Sequence, residues 1–217
     1  MIFREKIKYN IRNWKNIFKD EPCFILGNGP SLIDHDLSLI KDTFSIGINR
    51  CFKVFIPTIL IWQDDSIYED CLNDLLYLPC AKITTFENNK NNYFTNFYLE
   101  KGKWKFNKRT DILYGGGCTM SLSFQLAVAM GASSLILIGC DGIYRKNKTN
   151  FYGENKYHTP NSLNSFQKSL EWLRSESPIP VRNCGDNPLW KQEKLSDVLK
   201  EIKPKKINHL IRINKLL

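Results

Sequence analysis

The 217-residue chain is predicted to fold as a Rossmann-like α/β domain: a doubly wound, mainly parallel sheet with helices on both faces. Short apolar runs alternate with helical patterns along the chain, and the clearest run, residues 135–140, is continuously apolar. A continuous apolar strand is typical of a parallel sheet that is covered on both faces. Ligands bind such sheets beyond the carboxyl ends of the strands, so those ends are where a site is expected.

The first half of the chain is assigned by hydrophobic periodicity and turn residues. Residues 5–19 carry Ile7, Ile11, Trp14 and Phe18 at helical spacing, which predicts an amphipathic helix. The elements predicted after it are strands at 22–26, 43–48, 58–62 and 81–85, with helices at 31–41 and 66–77.

The second half begins with a polar insertion, residues 87–110, in which aromatic residues alternate with lysines. We expect a hairpin, a flap over the site or a surface excursion. The elements predicted after it are a helix at 119–130 ending at Gly131, a strand at 135–140, a polar loop at 142–160, a helix at 161–175 and a strand at 181–183. The chain is therefore interpreted as one domain, with a core at 22–190 and a helical tail at 191–217.

Composition restricts the function classes. No apolar run reaches the roughly 18 residues of a membrane span, and residues 1–20 lack a signal-peptide core. We expect a cytoplasmic protein, either free or held at the inner membrane by the basic tail between Lys200 and Lys215. The net charge is +9, yet no nucleic-acid motif is present, so nucleic acid is not an expected partner. The seven cysteines form no Cys-x-x-Cys pair and are interpreted as buried, reduced thiols rather than zinc ligands.

A glycine turn directly follows the first predicted strand. A strand that enters a Gly-x-Gly turn and then a helix is suited to hold a phosphate, because the first helical N–H groups point at the ligand. Leu32 stands where the dinucleotide fingerprint needs its third glycine, which argues against NAD. A plain tight turn is the alternative. The candidate ligand-binding residues of this turn are Gly27, Asn28, Gly29, Pro30 and Ser31.

Polar residues also follow the other predicted strands. Asn49 either bonds a ribose or base edge or simply turns the chain. Asp64 is a candidate for a divalent ion, whereas Asp65 is expected to cap the next helix. A second glycine turn precedes the helix at 119–130 and is a second candidate anion site. The residues of this predicted site are Asn49, Gln63, Asp64, Gly116, Gly117, Thr119 and Asp141.

One histidine lies in the polar loop near the predicted ligand edge. His158 precedes a predicted helix. Histidine is the commonest general base near neutral pH, although a solvated surface position is the alternative for a loop residue.

These motifs together resemble the family filed as domain of unknown function 115, which is named for a hydroxymethylpterin pyrophosphokinase and includes motility-accessory proteins of flagellin glycosylation. They are also similar to small bacterial sialyltransferases of lipooligosaccharide synthesis. The stretches that carry the resemblance are residues 24–32, 116–131, 135–141, His158 with the helix after it, and 181–185.

The resemblance implies a metal-independent transferase that uses a nucleotide sugar, with a CMP-sugar favoured, and a glycan acceptor. It implies that Asn28 and Asn49 touch the nucleotide and that Thr119 lies in the donor-binding motif. It also implies that Tyr144 and Tyr152 stabilise the departing phosphate and that His158 deprotonates the acceptor. The alternatives are an ATP- and Mg-dependent pyrophosphokinase and a non-catalytic nucleotide-binding module, and a homo-oligomer stays open.

Overall fold

The structure is a computed structural model, which describes residues 10–85, 93–143, 148, 150–153 and 160–207, with the backbone alone at 160–162. Within these ranges the strands form one parallel sheet, in the order β6-β5-β4-β3-β2-β1-β7-β8. The predicted doubly wound α/β fold is confirmed. The strands are β1 (Pro22–Leu26), β2 (Ser45–Ile48), β3 (Ile59–Trp62), β4 (Ala81–Thr85), β5 (Thr95–Glu100), β6 (Ile112–Tyr114), β7 (Ser134–Ile138) and β8 (Val181–Asn183).

Helices cover both faces of the sheet because each central strand is apolar on both sides. In β1, Cys23 and Ile25 pack into one apolar cluster, while Phe24 and Leu26 pack into the other. The α-helices are α1 (Asp65–Tyr77), α2 (Thr119–Ala129), α3 (Pro160–Glu176) and α4 (Leu195–Ile202). The 3-10 helices are Ile11–Trp14, Pro30–Asp34, Leu37–Ile40 and Asn49–Lys53. None of the helices in the described part of the chain is long and apolar enough to cross a bilayer.

The predicted N-terminal helix over residues 5–19 is wrong in its described part, where only Ile11–Trp14 is helical. The N–H groups of Asn16 and Phe18 donate to the carbonyls of Ala129 and Met130, at 3.2 and 3.0 Å. Contacts with the end of α2 therefore replace the helical hydrogen bonds. Trp14 and Phe18 are buried as the pattern predicted, because they pack into the core from this irregular segment.

Three further expectations are corrected. The helix predicted at 31–41 is two 3-10 helices, because the Asp36 carboxylate accepts from the Ser38 N–H (3.1 Å) and interrupts the helical path. The segment 87–110 contains β5, which pairs parallel with β4, so that part is neither a hairpin arm nor a flap. Within the described residues 191–207 of the tail, only α4 is helical, and Lys203, which follows its last residue, is left-handed; residues 208–217 lie outside the described residues.

Candidate functional site

The turns after β1 and β7 meet at the point where the strand order reverses, which is the usual ligand crevice of an open parallel sheet. The Gly27 N–H donates to the Ile138 carbonyl (2.8 Å) and the Gly29 N–H to the Gly139 carbonyl (2.7 Å). A Cβ atom at Gly27 would lie 2.7 Å from the Gly139 carbonyl carbon, closer than real Cβ atoms come. The absence of a side chain at Gly27 thus allows the two turns to touch.

Asp141 clamps the first turn from the end of β7. Its carboxylate accepts from the Ser31 N–H (2.9 Å), from the Ser31 hydroxyl and from the Asp186 N–H (3.1 Å). The side chain is only 2% exposed, and the neighbouring Asn187 amide donates to the Cys140 carbonyl (3.1 Å). Asp141 therefore joins the ends of β1, β7 and β8. Its predicted contact with a ligand stays a prediction.

The first glycine turn differs from a phosphate-binding loop. The N–H groups of Gly27, Gly29 and Ser31 all donate to acceptors within the fold, and Pro30 has none to offer. The expectation that free N–H groups of this turn face a phosphate is therefore wrong for these residues. What the turn presents at the sheet edge is the Asn28 side chain.

Asn28 and Asn49 form a pair of amides at the ends of β1 and β2. The Asn28 amide nitrogen donates to the Ile48 carbonyl (3.0 Å), and that of Asn49 donates to the Asp64 carboxylate (3.3 Å). Each Oδ1 atom is buried and has no hydrogen-bond partner among the described residues. Asn49 adopts a left-handed backbone (φ 50°), which asparagine tolerates better than most residues. Two acceptors are thus held at one edge with the capacity to bind donors.

Gln63 connects the end of β3 to the second glycine turn. With its amide oriented as its neighbours require, the Gln63 oxygen accepts from the N–H groups of Cys118 (3.0 Å) and Thr119 (3.2 Å). The beginning of α2 is therefore capped by a side chain from the sheet rather than open at these two groups. Gly117 has φ 74° and open space where a side chain would be, whereas Gly116 faces Leu99.

A buried arginine follows Asn49. Arg50 is 8% exposed, and its guanidinium donates to the Asp70 carboxylate (2.5 Å) and the Ser66 carbonyl (3.3 Å) of α1. Its centre lies 5.8 Å from the ring centroid of Tyr152. Burial lowers the pKa of Arg50, but the electrostatic effects of Tyr152, Cys71 and Asp70 outweigh it, so the pKa is raised and the charge is permanent.

The predicted catalytic residues are described in part. Tyr152 lies in a turn whose preceding N–H, that of Phe151, donates to the Asn28 carbonyl (2.8 Å). The structure therefore brings Tyr152 to the side of the sheet edge where Asn28 and Arg50 lie. Tyr144 and His158 lie outside the described residues, so their roles stay predictions.

The carboxylates after β3 are arranged differently from the expectation. α1 begins at Asp65 with Asp64 in the N-cap position, so the residue expected to cap, Asp65, is already in the first turn. The Asp64 side chain makes no cap hydrogen bond and accepts from Asn49 instead. The described residues contain no group of three His, Cys, Asp or Glu side chains that could share a metal ion.

All seven cysteines are buried and free, as the sequence predicted. Burial raises the pKa of the Cys23, Cys51 and Cys140 thiols well above the ordinary value. A raised pKa keeps these thiols protonated at neutral pH, so they pack as small apolar side chains.

Sequence reasoning missed two residues that complete this edge, Asp186 and Asn183. It included Arg50 among the polar strand ends but gave it no role. Asn183, at the end of β8, accepts from the Gly185 N–H (3.1 Å) and donates to the Asn187 carbonyl (3.2 Å). A signal was present in the run Asn-Cys-Gly-Asp-Asn, which follows a strand as the other site segments do.

Comparison with known proteins supports the fold. No family model and no curated protein matches the chain, so the family resemblance stated from the motifs stays a prediction. The structure is similar to that of the MAf glycosyltransferase from Magnetospirillum magneticum AMB-1, with a TM-score of 0.59 and 16% identity over 100% of this chain. The chain spans 41% of that protein's length.

Structures of the sialyltransferase CstII from Campylobacter jejuni are more distant. The complex with cytidine-5'-monophosphate matches with a TM-score of 0.46 and 13% identity, over 92% of this chain and 99% of that one. The complex with CMP-3FNeuAc matches with a TM-score of 0.45 and 14% identity, over 75% and 80%. At 16% identity the likeness to the MAf glycosyltransferase concerns the fold alone.

Proposed function

We propose that the chain is a glycosyltransferase that binds a nucleotide sugar at the carboxyl edge of β1 and β2 and transfers the sugar to a glycan. The observation that carries the proposal is the pair of buried oxygens, Asn28 Oδ1 and Asn49 Oδ1, without partners among the described residues. Buried polar atoms are almost always hydrogen-bonded, and His35 Nε2 and Trp62 Nε1 are further exceptions among the described residues. The two oxygens are both acceptors at adjacent strand ends, so together they favour a bound ligand with donor groups.

The chemistry of the two atoms favours a nucleoside. Both amide nitrogens are already used within the fold, so both side chains are oriented as acceptors. Ribose hydroxyls and the exocyclic amine of a base are donors of the required kind. Cytosine carries such an amine, as adenine and guanine also do, whereas uracil does not. The two acceptors are therefore compatible with a CMP-sugar donor and argue against a UDP-sugar. The shared fold with a protein named as a glycosyltransferase supports the reaction class.

The proposed reaction needs one base and a site for a growing phosphate charge. The acceptor oxygen attacks the anomeric carbon, the bond from that carbon to the phosphate oxygen breaks, and the phosphate takes the electron pair. His158 is proposed to receive the acceptor proton. The hydroxyls of Tyr152 and Tyr144 are proposed to donate hydrogen bonds to the departing phosphate, whose charge develops in the transition state.

A thermal-shift panel tests the nucleotide site. We expect CMP and CMP-sugars at about 100 times Kd to stabilise the protein by about 2.7 kcal/mol, which is roughly 5–10 °C for a chain of this size. Asn28→Ala should roughly halve the shift at the same ligand concentration, whereas Asn73→Ala, an exposed position on α1, should leave it unchanged. No shift with any CMP-, UDP- or GDP-nucleotide would overturn the proposal.

The same panel distinguishes the other two functions. A Mg-dependent shift with ATP, together with loss of activity in Asp64→Asn, would favour the pyrophosphokinase. Nucleotide binding without turnover, and no effect of His158→Ala on any property, would favour a binding module.

A further inference from the structure

A guanidinium that contacts two elements at once lies beside the proposed nucleotide edge. Arg50 follows Asn49 directly and is bound to α1 through Asp70 and the Ser66 carbonyl. On another side it faces the Tyr152 ring, 5.8 Å from its centroid. A planar guanidinium can form directed hydrogen bonds and face an aromatic ring simultaneously, whereas an ammonium group acts as a point charge. Arginine is therefore suited to this position, because one guanidinium makes both kinds of contact.

The turn that carries Tyr152 has a second attachment to the site. The Phe151 N–H donates to the Asn28 carbonyl (2.8 Å), and the Phe151 side chain packs against the apolar cluster on the α1 face of the sheet. The rings of Phe151 and Tyr152 meet edge to face, with centroids 4.9 Å apart. Phe151 thus fixes the backbone of the turn, and Arg50 contacts the Tyr152 side chain that the turn carries.

We propose that Arg50 is a positioning residue, which acts through the Tyr152 ring to hold the 150–153 turn, and with it the tyrosine hydroxyl, at the nucleotide edge. The inference rests on the proposed function for what the hydroxyl does there. The link between Arg50 and the turn is independent of it.

An ion pair with only a structural role would stabilise the fold little at this position. Taking a charge out of water is costly, and a buried ion pair is often no more stabilising than apolar residues of the same volume. Asp70 stays 41% exposed at its side chain while Arg50 is at 9%. The burial cost is therefore carried by Arg50, the member of the pair that faces Tyr152.

The kinetic test uses conservative variants. Arg50→Lys should lower kcat for transfer about 10-fold and change the donor KM less than 3-fold, because the nucleotide contacts of Asn28 and Asn49 remain. Arg50→Lys should add little in a Tyr152→Phe background, because the hydroxyl that Arg50 is proposed to hold in place is already absent there. Additive losses in the double variant would overturn the proposal.

A second readout does not need activity. Lys148 is exposed in the β7–α3 connection, and we expect Arg50→Lys to raise the initial rate of tryptic cleavage there several-fold at unchanged Tm. Asp70→Asn, which removes only the outer partner, should show a smaller increase. Arg109→Lys is the matched control, because Arg109 pairs with Asp111 before β6, away from this edge; it should change neither readout.

The outcomes separate the two proposals. Unchanged cleavage at Lys148 in Arg50→Lys would overturn the positioning role. A fall in Tm alongside the changes in kcat and cleavage rate would also overturn it, because it would indicate general destabilisation. If the wild-type protein binds no nucleotide but Arg50→Lys still raises the rate of tryptic cleavage at Lys148, the proposed function fails and the link between Arg50 and the turn stands.

Discussion

The two edges of the sheet satisfy their polar groups in different ways. At the amino edge, Thr58 and Ser45 exchange hydrogen bonds between backbone N–H groups and hydroxyls, at 3.0 and 3.2 Å. The Asp111 carboxylate is held by Arg12 (2.9 Å) and Arg109 (2.8 Å). At the carboxyl edge, two amide oxygens are buried without partners in the described part of the chain. A fold keeps such atoms unpaired at a cost, so the contrast locates the site.

The largest effect is expected where the two turns of the carboxyl edge touch. Gly27→Ala places a methyl group against the Gly139 carbonyl, and we expect a loss of about 3 kcal/mol or more in the free energy of unfolding, as for severe overpacking. Urea denaturation measures it. Gly117→Ala is the control: its methyl group meets open space, so only left-handed backbone strain of about 1–2 kcal/mol should remain. Equal losses would refute close packing at Gly27.

The next effect should come from the clamp at the end of β7. Asp141→Asn keeps the shape of the side chain but removes the charge and one acceptor from a group that receives three hydrogen bonds. We expect a loss of about 2–3 kcal/mol, measured by denaturant unfolding. Ser31→Ala, which removes only the hydroxyl, should lose roughly half as much. A stable Asp141→Asn variant that fails to bind nucleotides would instead assign Asp141 to the ligand.

Asn28 should behave in the opposite way to Asp141. Its Oδ1 has no partner in the described structure, so Asn28→Ala removes a single hydrogen bond, the one from Nδ2 to the Ile48 carbonyl. The free energy of unfolding should therefore fall by only about 1 kcal/mol. Nucleotide affinity should fall about 10-fold, equivalent to about 1.4 kcal/mol. Calorimetric titration with CMP gives the affinity. A variant that loses stability but keeps its affinity would show that the amide serves the fold.

The effect expected at the amino edge depends on pH. Hydrogen bonding from Arg109, opposed by burial and assisted by Arg12, lowers the pKa of Asp111 from 3.8 to about 2. A carboxyl with a depressed pKa stabilises the fold above its unfolded pKa and loses that stabilisation as pH falls from about 4 to about 2. We expect roughly 1–2 kcal/mol of acid-dependent stability, after allowance for the exposed arginines. Asp111→Asn should flatten this part of the stability–pH curve, and an unchanged curve would contradict the assignment.

The strands and their ends could be predicted because apolar runs and turn residues are local signals. The strands at 22–26, 81–85 and 181–183 match β1, β4 and β8 residue for residue. The helix predicted for the N-terminal segment was wrong because N–H groups of this segment donate to carbonyls at the end of α2, more than 100 residues away in the chain. Periodicity predicted that Trp14 and Phe18 are buried, but it cannot show which backbone conformation buries them.

For the candidate site, too, local pattern predicted which residues are present, but not which partners they bind. Polar residues at successive strand ends were enough to select Asn28, Asn49, Gln63 and Asp141, because parallel strands bring their carboxyl ends to one edge. The roles of these residues depend on partners that are distant in sequence. The Asp141 carboxylate accepts from the N–H group of Ser31, which is 110 residues away, and the Gln63 amide oxygen accepts from the first N–H groups of α2.

The sequence by itself determined the parallel α/β fold, the edge at which a ligand would bind and the residue types available there. Only the tertiary structure decided that the glycine turn packs against β7 instead of exposing its N–H groups, and that two asparagine oxygens remain without partners in the described residues. The reason is physical. Local pattern specifies which backbone conformations and burial are favourable, whereas hydrogen-bond occupancy depends on which atoms the completed sheet brings within 3 Å of each other.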